Sequence, residues 1–404
     1  MSWKEYLLDP RVQYARRLAR TSSGVLEDLW HAKDGSWLTM GLAGVSVASR
    51  FLDDFATRNV ENILSAQGFK AQRNAQDGLV LSLLRYGGGP GELLYSDKDD
   101  WKLLSWPEAD TVVNSYSGPE GEQVQGVFVR DRDKLKAFIQ KTAWVESPHL
   151  MLTAQRSRRS FVALSLTSLH VPETPYVGTP DVAFYVDRLK RGEATKPDAT
   201  RSVILVGPSG VGKGVLAFAI AQGIAPEKGR VLKIAGSILH ELELSSVLLA
   251  AELLGPDILL LDDLELDFDG GRASEEILAL FEGLRGLCKA VISTVMTDAG
   301  QSIDTFRCSG IRPGRVDDIY FLTLPTPKNR REMLLREYGA PIPEGILDDI
   351  VAVTEGMTGA YVVETAIRLK TFGLKDWGHE AEAVWRMCDA PRPKQEEQEE
   401  DEDE

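Results

Sequence analysis

Residues 207–214, GPSGVGKG, constrain the fold of this 404-residue chain more than any other stretch. The apolar run RSVILV leads into them, and VGKGVLAFAIAQGIA continues in a helical pattern. A glycine-rich loop between a strand and a helix lets backbone N–H groups surround phosphate oxygens without Cβ clashes, and the helix N-terminus adds partial positive charge. The stretch therefore predicts an α/β fold with a parallel sheet and a phosphate-binding loop.

The loop also indicates which groups would contact a nucleotide. Its glycines supply backbone freedom, and the Lys213 ammonium can neutralise β- and γ-phosphate oxygens. The predicted nucleotide-binding residues of the loop are Gly207, Pro208, Ser209, Gly210, Val211, Gly212, Lys213, Gly214 and Val215. The pattern G-x-x-x-x-G-K-[ST] ends in a hydroxyl that contacts magnesium, and here that position is Gly214. Because a water molecule can replace the missing hydroxyl on magnesium, we expect nucleotide binding to be retained. We expect the rate of hydrolysis to be reduced more than the affinity, because it depends on the position of the metal.

A second motif, DILLLDD at residues 257–263, is an apolar strand that ends in two acids. Following a phosphate-binding loop, Asp262 can hold magnesium through water. Asp263 can then orient or deprotonate the attacking water.

A third motif, SGIRPGRVDDIYFLTLPTP at residues 309–327, holds Arg312 and Arg315 on either side of a Pro-Gly turn. A guanidinium supplied by a neighbouring subunit can stabilise charge at the γ-phosphate. These two arginines are therefore candidate catalytic residues.

The pattern of residue types changes several times along the chain. We predict a helical N-terminal region at 1–75, a β-rich domain at 76–171, a linker at 172–180, an α/β nucleotide-binding domain at 181–325, a helical lid at 326–390 and a disordered acidic tail at 391–404. In the β-rich part, GLVLSLLRY is predicted as a strand and DKLKAFIQKTAW as a helix. Three prolines in VPETPYVGTP mark the boundary. The lid is predicted to contain three helices, the first starting at Thr326 and Pro327.

Composition limits the partners and the compartment. The net charge is −15, and the last ten residues, QEEQEEDEDE, contribute −8 of it. The rest of the chain therefore also carries a net negative charge, which does not suit nucleic-acid binding. Three cysteines without paired spacing fit a reducing compartment. The most apolar stretch, residues 37–52, is shorter than the roughly 20 residues of a membrane-spanning helix. We expect a cytoplasmic protein without a transmembrane segment.

Together with TEGMTGAYVVETAIR at 354–368, these motifs resemble the AAA family of ring-forming ATPases over residues 180–375. In order they are similar to the Walker A loop, the Walker B strand, the second region of homology and the sensor-2 helix of the lid. The wording IRPGRVD is typical of the classical AAA clade. The resemblance implies a P-loop AAA domain with a helical lid, ATP or ADP and Mg²⁺ as cofactors, ATP hydrolysis, and a homo-oligomeric ring of six or seven subunits.

The resemblance also implies roles for individual residues. Arg312 and Arg315 resemble arginine fingers that act across a subunit interface, and Asp263 stands where the family usually has Glu. Further positions implied are Thr297 or Asp298 as the sensor-1 residue, Asp181 and Val182 as the backbone segment that frames adenine, and Gly359 and Ala360 as the Gly-Ala pair of the lid.

Three function classes stay open at this point. The leading hypothesis is a ring-forming ATPase that remodels, translocates or assembles a protein partner, bound through residues 1–171. Motif wording and chain length also loosely resemble the mitochondrial AAA chaperones that translocate the folded Rieske protein. The alternatives are an assembly scaffold in which nucleotide only stabilises the ring, favoured by Gly214, and a DNA-acting ATPase of the initiator or helicase-loader kind. SILHELELSS, after RVLKIAG, lacks the aromatic loop with which family members grip threaded polypeptides.

Overall fold

A computed structural model describes residues 64–388 of the chain, with gaps at 66–69, 73–76, 97–100, 119–120, 157–161, 172–174, 196–199, 226–228, 236–243, 265–274 and 298–315. Most of the predicted helical region at 1–75, the apolar stretch at 37–52 and the acidic tail lie outside the described residues. The chain forms two compact units, which we describe separately: residues 1–142 with 157–161, and residues 143–156 with 162–404.

The first unit is built on an antiparallel five-stranded sheet. Its strands are β1 (Lys70–Gln72), β2 (Glu92–Ser96), β3 (Trp101–Trp106), β4 (Thr111–Gly118) and β5 (Gly121–Val129), in the spatial order β1-β5-β4-β3-β2. Two helices accompany it, α1 (Asp77–Gly88) and α2 (Arg132–Thr142). The β-rich texture predicted for this region is therefore present in the structure.

Helix α1 corrects one sequence-based assignment, because GLVLSLLRY was predicted as a strand. Leu79, Val80, Leu83 and Leu84 are all fully buried, and their spacing is that of one helical face. A short apolar run has no alternation that separates a strand from a buried helix, so the sequence pattern was ambiguous here.

The second unit contains a seven-stranded sheet. Its strands are β6 (His149–Arg156), β7 (Val162–Ser168), β8 (Arg201–Gly207), β9 (Val231–Ala235), β10 (Ile258–Leu264), β11 (Ala290–Met296) and β12 (Asp318–Phe321), in the order β12-β8-β11-β10-β9-β6-β7. All neighbouring pairs are parallel except β6 and β7. Strands β8 to β11 are nearly continuous runs of buried aliphatic residues, as a parallel sheet covered on both faces requires.

Helices of the second unit fall into two groups. The sheet is accompanied by α3 (Val182–Thr195), α4 (Lys213–Ile224), α5 (Leu244–Leu254) and α6 (Glu275–Gly283). The lid contains α7 (Pro327–Tyr338), α8 (Glu344–Val353), α9 (Gly359–Phe372) and α10 (Trp377–Trp385). Thr326 caps α7 as predicted, since its side chain accepts a hydrogen bond from the Asn329 N–H at 3.3 Å. The fourth lid helix, α10, was not predicted.

The domain boundary lies earlier than the prolines indicated. Strands β6 and β7 were assigned to the β-rich domain at 76–171, yet β6 pairs in parallel with β9 and extends the second sheet. The second unit therefore begins at residue 143 and includes every later residue apart from 157–161. A local residue pattern predicts that a segment is a strand but not which strand it pairs with. The proline-rich segment is instead internal to this unit, because Tyr176 packs on the core of the α/β part and Val177 belongs to the core of the lid.

Candidate nucleotide-binding site

The phosphate-binding loop runs from the end of β8 to the start of α4. Gly210 and Gly212 have φ angles of +77° and +94°, which is backbone that residues with a Cβ adopt only under strain. At Gly207 the constraint is space, since a Cβ there would lie 2.6 Å from the carbonyl oxygen of Leu322. The three glycines predicted to shape the loop are thus required by its geometry.

Lys213, the first residue of α4, is buried at the mouth of the loop with 6% of its surface exposed. Its Nζ donates hydrogen bonds to the carbonyl oxygens of Gly207 and Pro208, each at 2.8 Å. Burial lowers the pKa of Lys213, while the nearby Asp263 and Asp262 carboxylates act in the opposite direction. The ammonium is held against the loop, where a bound phosphate group can accept a hydrogen bond from it.

Asp262 lies near the carboxyl end of β10, and each of its two carboxylate oxygens has a donor as its partner. The Thr294 hydroxyl on β11 donates to Oδ1 at 2.7 Å, and the Lys233 ammonium on β9 lies 2.5 Å from Oδ2. Thr294 also accepts the backbone N–H of Asp263 at 2.8 Å. The acid of the second motif is therefore held by side chains from the strands on both of its sides.

Asp263 has a different environment from its neighbour. It is exposed and has a φ angle of +54°, and the register between β10 and β11 shifts between Leu261 and Leu264. Such an irregularity turns a side chain away from its regular position in the sheet, and non-glycine residues in this backbone region occur at functional sites more often than elsewhere.

The residues at Asp262 do not fit the magnesium site of an ordinary phosphate-binding loop. Gly214 has no hydroxyl, and a Cβ at this position would lie 3.7 Å from Asp262 Oδ1, so the missing group belongs beside the carboxylate. That carboxylate already has an ammonium partner in Lys233. Asp262 therefore lacks both the hydroxyl partner and the free carboxylate with which an ordinary phosphate-binding loop would hold magnesium.

The predicted sensor-1 position is only partly described. The Thr297 backbone N–H donates to the Gly207 carbonyl oxygen at 3.2 Å, and Asp298 lies outside the described residues. The polar side chain of β11 that contacts both acids is Thr294, which the sequence analysis missed. Its signal was Ser293 and Thr294 in the middle of an otherwise apolar strand, both at most 1% exposed.

The lid contacts the loop through the start of α9, where the predicted Gly-Ala pair lies. The Ala360 N–H donates to the Gly210 carbonyl oxygen at 2.9 Å, and a Cβ at Gly359 would lie 3.3 Å from the same oxygen. The hydroxyl of Thr358 is buried and finds no hydrogen-bond partner among the described residues. A Cβ at Gly210 would lie 2.5 Å from this hydroxyl. The lid and the phosphate-binding loop are thus in direct contact.

The segment predicted to frame adenine begins α3. Asp181 Oδ1 accepts the Phe184 N–H at 3.1 Å and so caps the helix that opens at Val182. Tyr176, which the sequence analysis did not single out, approaches the loop, because its ring carbons would lie 3.5 Å from a Cβ at Gly212. Burial raises the pKa of Tyr176 to about 12, so its phenol is neutral at physiological pH. Arg312 and Arg315 lie outside the described residues.

Sheet order and motif placement together define the class of the second unit. The glycine-rich loop follows β8, the paired acids lie near the end of β10, and β11 lies between these two strands. The loop and the paired acids both lie at the carboxyl ends of parallel strands, which is where α/β sheets bind ligands. The unit is a P-loop nucleotide-binding domain.

Comparisons with known proteins agree with this class. No family model matches the chain. It is 30% identical over 195 residues to the ATP-dependent zinc metalloprotease FtsH 2 of Sphaerobacter thermophilus, covering 43% of this chain and 28% of that protein. It is also 30% identical over 143 residues to the uncharacterized AAA domain-containing protein ycf46 of Trieres chinensis, covering 33% of this chain and 28% of that protein. The chain spans less than a third of the length of these relatives.

Among solved structures, the AAA domain of FIGL-1 aligns with a TM-score of 0.38 and 17% identity, covering 49% of this chain and 76% of that chain. In its motifs and in the curated relatives that it matches, this P-loop unit is similar to the AAA ATPases.

Proposed function

We propose that this chain binds ATP and ADP in the loop at 207–214 and uses the nucleotide state to reposition its helical lid. The observation that carries the proposal is the hydrogen bond from the Ala360 N–H to the Gly210 carbonyl oxygen. A phosphate group that draws Lys213 away from the loop carbonyls changes the loop on which the lid rests. Nucleotide exchange thereby becomes a movement of the lid.

The wider proposal is a homo-oligomeric ring of six or seven subunits that remodels, translocates or assembles a protein partner. Arg312 and Arg315 reach the γ-phosphate of a neighbouring subunit in this arrangement, and their pairing in IRPGRVD supports it. The partner binds the N-terminal part of the chain, which we now limit to residues 1–142 because β6 and β7 belong to the P-loop unit. Hydrolysis is slow, since Gly214 leaves the nucleotide phosphates without a hydroxyl-held metal.

Steady-state phosphate release tests the proposal. ATP turnover is measured across protein concentrations that span ring assembly, with Lys213→Ala and Arg315→Ala as variants. We expect turnover that rises with assembly and falls sharply in both variants. Turnover in the wild type that is independent of concentration and unchanged in Arg315→Ala would contradict a site shared between subunits.

Within the described site, two features favour a second candidate, a scaffold in which nucleotide stabilises the ring without turnover. Gly214 lacks the hydroxyl, and Asp262 is already paired with Lys233. Under this alternative, the assembled wild type binds ATP tightly and releases no phosphate above the level of Lys213→Ala. Size-exclusion chromatography with and without ATP then shows a ring that depends on nucleotide and persists for as long as ATP is bound.

A further inference from the structure

Lys233 is placed by the sheet so that it reaches Asp262. The strands β9 and β10 are parallel, and Lys233 is directly opposite Leu260 in their register. Residues opposite each other, and residues two apart along a strand, share one face of a sheet, so Lys233 and Asp262 lie on the same face. Leu260 packs in the core cluster that also contains Leu216 and Ala217 of α4. This is the face that the phosphate-binding helix covers.

The ion pair between Lys233 and Asp262 is half-buried. The Lys233 side chain is 25% exposed and that of Asp262 is 21% exposed, with 2.5 Å between Nζ and Oδ2. An ion pair screened from solvent in this way persists better than a surface pair, and the lysine ammonium has three donors. One donor is used by Asp262, so others can reach a phosphate oxygen.

Two departures from the ordinary P-loop pattern meet at this one carboxylate. Gly214 removes a hydroxyl ligand of the metal, at a place where a Cβ would lie 3.7 Å from Asp262 Oδ1 and 3.9 Å from Oδ2. Lys233 adds a fixed positive charge on the other side of the same group. Each change alone would weaken a metal site. Together they replace Mg²⁺ at Asp262 by the ammonium group of Lys233.

We infer that Lys233 supplies, at Asp262, the positive charge that Mg²⁺ supplies in other phosphate-binding loops, so that nucleoside di- and triphosphates bind this site without a divalent metal. The inference rests on the nucleotide binding proposed above. In the bound state, Lys213 and Lys233 contact the terminal phosphates from two sides. Asp262 holds Lys233 in place through its ion pair, and Thr294 holds Asp262 through the hydrogen bond to Oδ1.

The first test uses the wild-type chain and ATP, by isothermal titration calorimetry in buffer with Mg²⁺ and in buffer with EDTA. We expect dissociation constants that agree within about threefold. Affinity that falls by more than about tenfold in EDTA would overturn the inference and leave the proposed nucleotide site standing. Absence of binding in both buffers would overturn the proposed function and the inference with it.

The second test compares two lysine variants in both buffers. Lys233→Met keeps the aliphatic stem and removes the charge, and we expect at least about a tenfold loss of ATP affinity in EDTA that Mg²⁺ largely restores. Lys289→Met is the matched control, because Lys289 pairs with Asp257 at 3.3 Å where both residues precede their strands, at the opposite edge of the sheet. This control should bind as the wild type does in both buffers.

Equal affinity of Lys233→Met and wild type in EDTA would contradict the inference. Thermal unfolding without nucleotide checks that the variant is folded, and Lys233→Arg, which keeps the charge, should retain binding in EDTA. If Lys233→Met does not fold, the inference is still tested by the ATP affinities of the wild type in the two buffers and by the affinity of Lys233→Arg in EDTA. The double variant Gly214→Thr/Lys233→Met rebuilds a hydroxyl beside an unpaired Asp262, and its ATP affinity should rise at least about tenfold on addition of Mg²⁺.

Discussion

The backbone N–H of Ala360, at the start of the lid helix α9, donates to the carbonyl oxygen of Gly210 in the phosphate-binding loop at 2.9 Å. Beside this bond, the Thr358 hydroxyl is buried against Gly210. The loop and the lid therefore share an interface in which one residue of the loop has no room for a side chain.

We expect Gly210→Ala to destabilise the protein more than a positive φ angle alone would. Gly286 is the matched control, since its φ of +76° is nearly that of Gly210 at +77° and nothing lies within 4 Å of a Cβ there. Both variants carry the backbone cost of roughly 1–2 kcal/mol, and Gly210→Ala adds about 1–3 kcal/mol from the contact with Thr358. Chemical denaturation measures both. Equal losses would mean that the lid moves away from the loop without cost.

Thr294 connects both acids of the site, and its hydroxyl should matter for stability. Thr294→Val keeps the shape but leaves the Asp263 N–H without its acceptor, and we expect a loss of about 1–3 kcal/mol in the free energy of unfolding. Thr365→Val is the control, because the Thr365 hydroxyl is equally buried but donates to Tyr361 within its own helix. That carbonyl is also a helical hydrogen-bond acceptor, so its loss should stay below about 1 kcal/mol. A Thr294→Val variant as stable as the control would contradict the described contacts.

Gly214 is not required by the backbone, so replacing it should not harm the fold. Gly214→Ala places a Cβ at ordinary contact distance from Asp262, and we expect a gain of about 0.4–1 kcal/mol in unfolding free energy from reduced chain entropy. Gly345 is the second residue of α8 as Gly214 is of α4, with nothing within 4 Å of its Cβ position, and Gly345→Ala should gain as much. If only Gly214→Ala is destabilised, the glycine has a structural reason.

His149 should make the folded state sensitive to acid. Burial lowers the pKa of this imidazole, whose ring packs edge-on against Phe218 with 5.2 Å between centroids. The unfolded chain therefore binds the proton more readily, so stability is fully present above the unfolded pKa of about 6.5 and falls as the pH drops below it. Urea denaturation between neutral and mildly acidic pH should show a smaller decline in His149→Phe. A decline of the same size in His149→Phe would contradict a role for the buried imidazole.

Local patterns were sufficient for much of the nucleotide-binding half. The loop, the strand before it, the helix after it and the acids of β10 all follow from short-range chemistry: glycine where φ is positive, apolar runs where a strand is covered on both faces, and charge where a strand ends. The fold class and the similarity to AAA ATPases were predicted correctly from these features. The strand assigned to residues 78–86 was wrong because an apolar run of this length is compatible with either a helix or a strand.

What the sequence determined by itself was the P-loop strand–loop–helix unit and its similarity to AAA ATPases, because each of these features depends on residues adjacent in the chain. The tertiary structure decided which strands are neighbours. The pairing of β6 with β9 moved the domain boundary, and the placement of β9 and β11 on either side of β10 brought Lys233 and Thr294 to the two oxygens of Asp262. Strand order depends on how whole elements pack. The lysine that pairs with this carboxylate is 29 positions away from it in the sequence, so no local pattern predicts the pair.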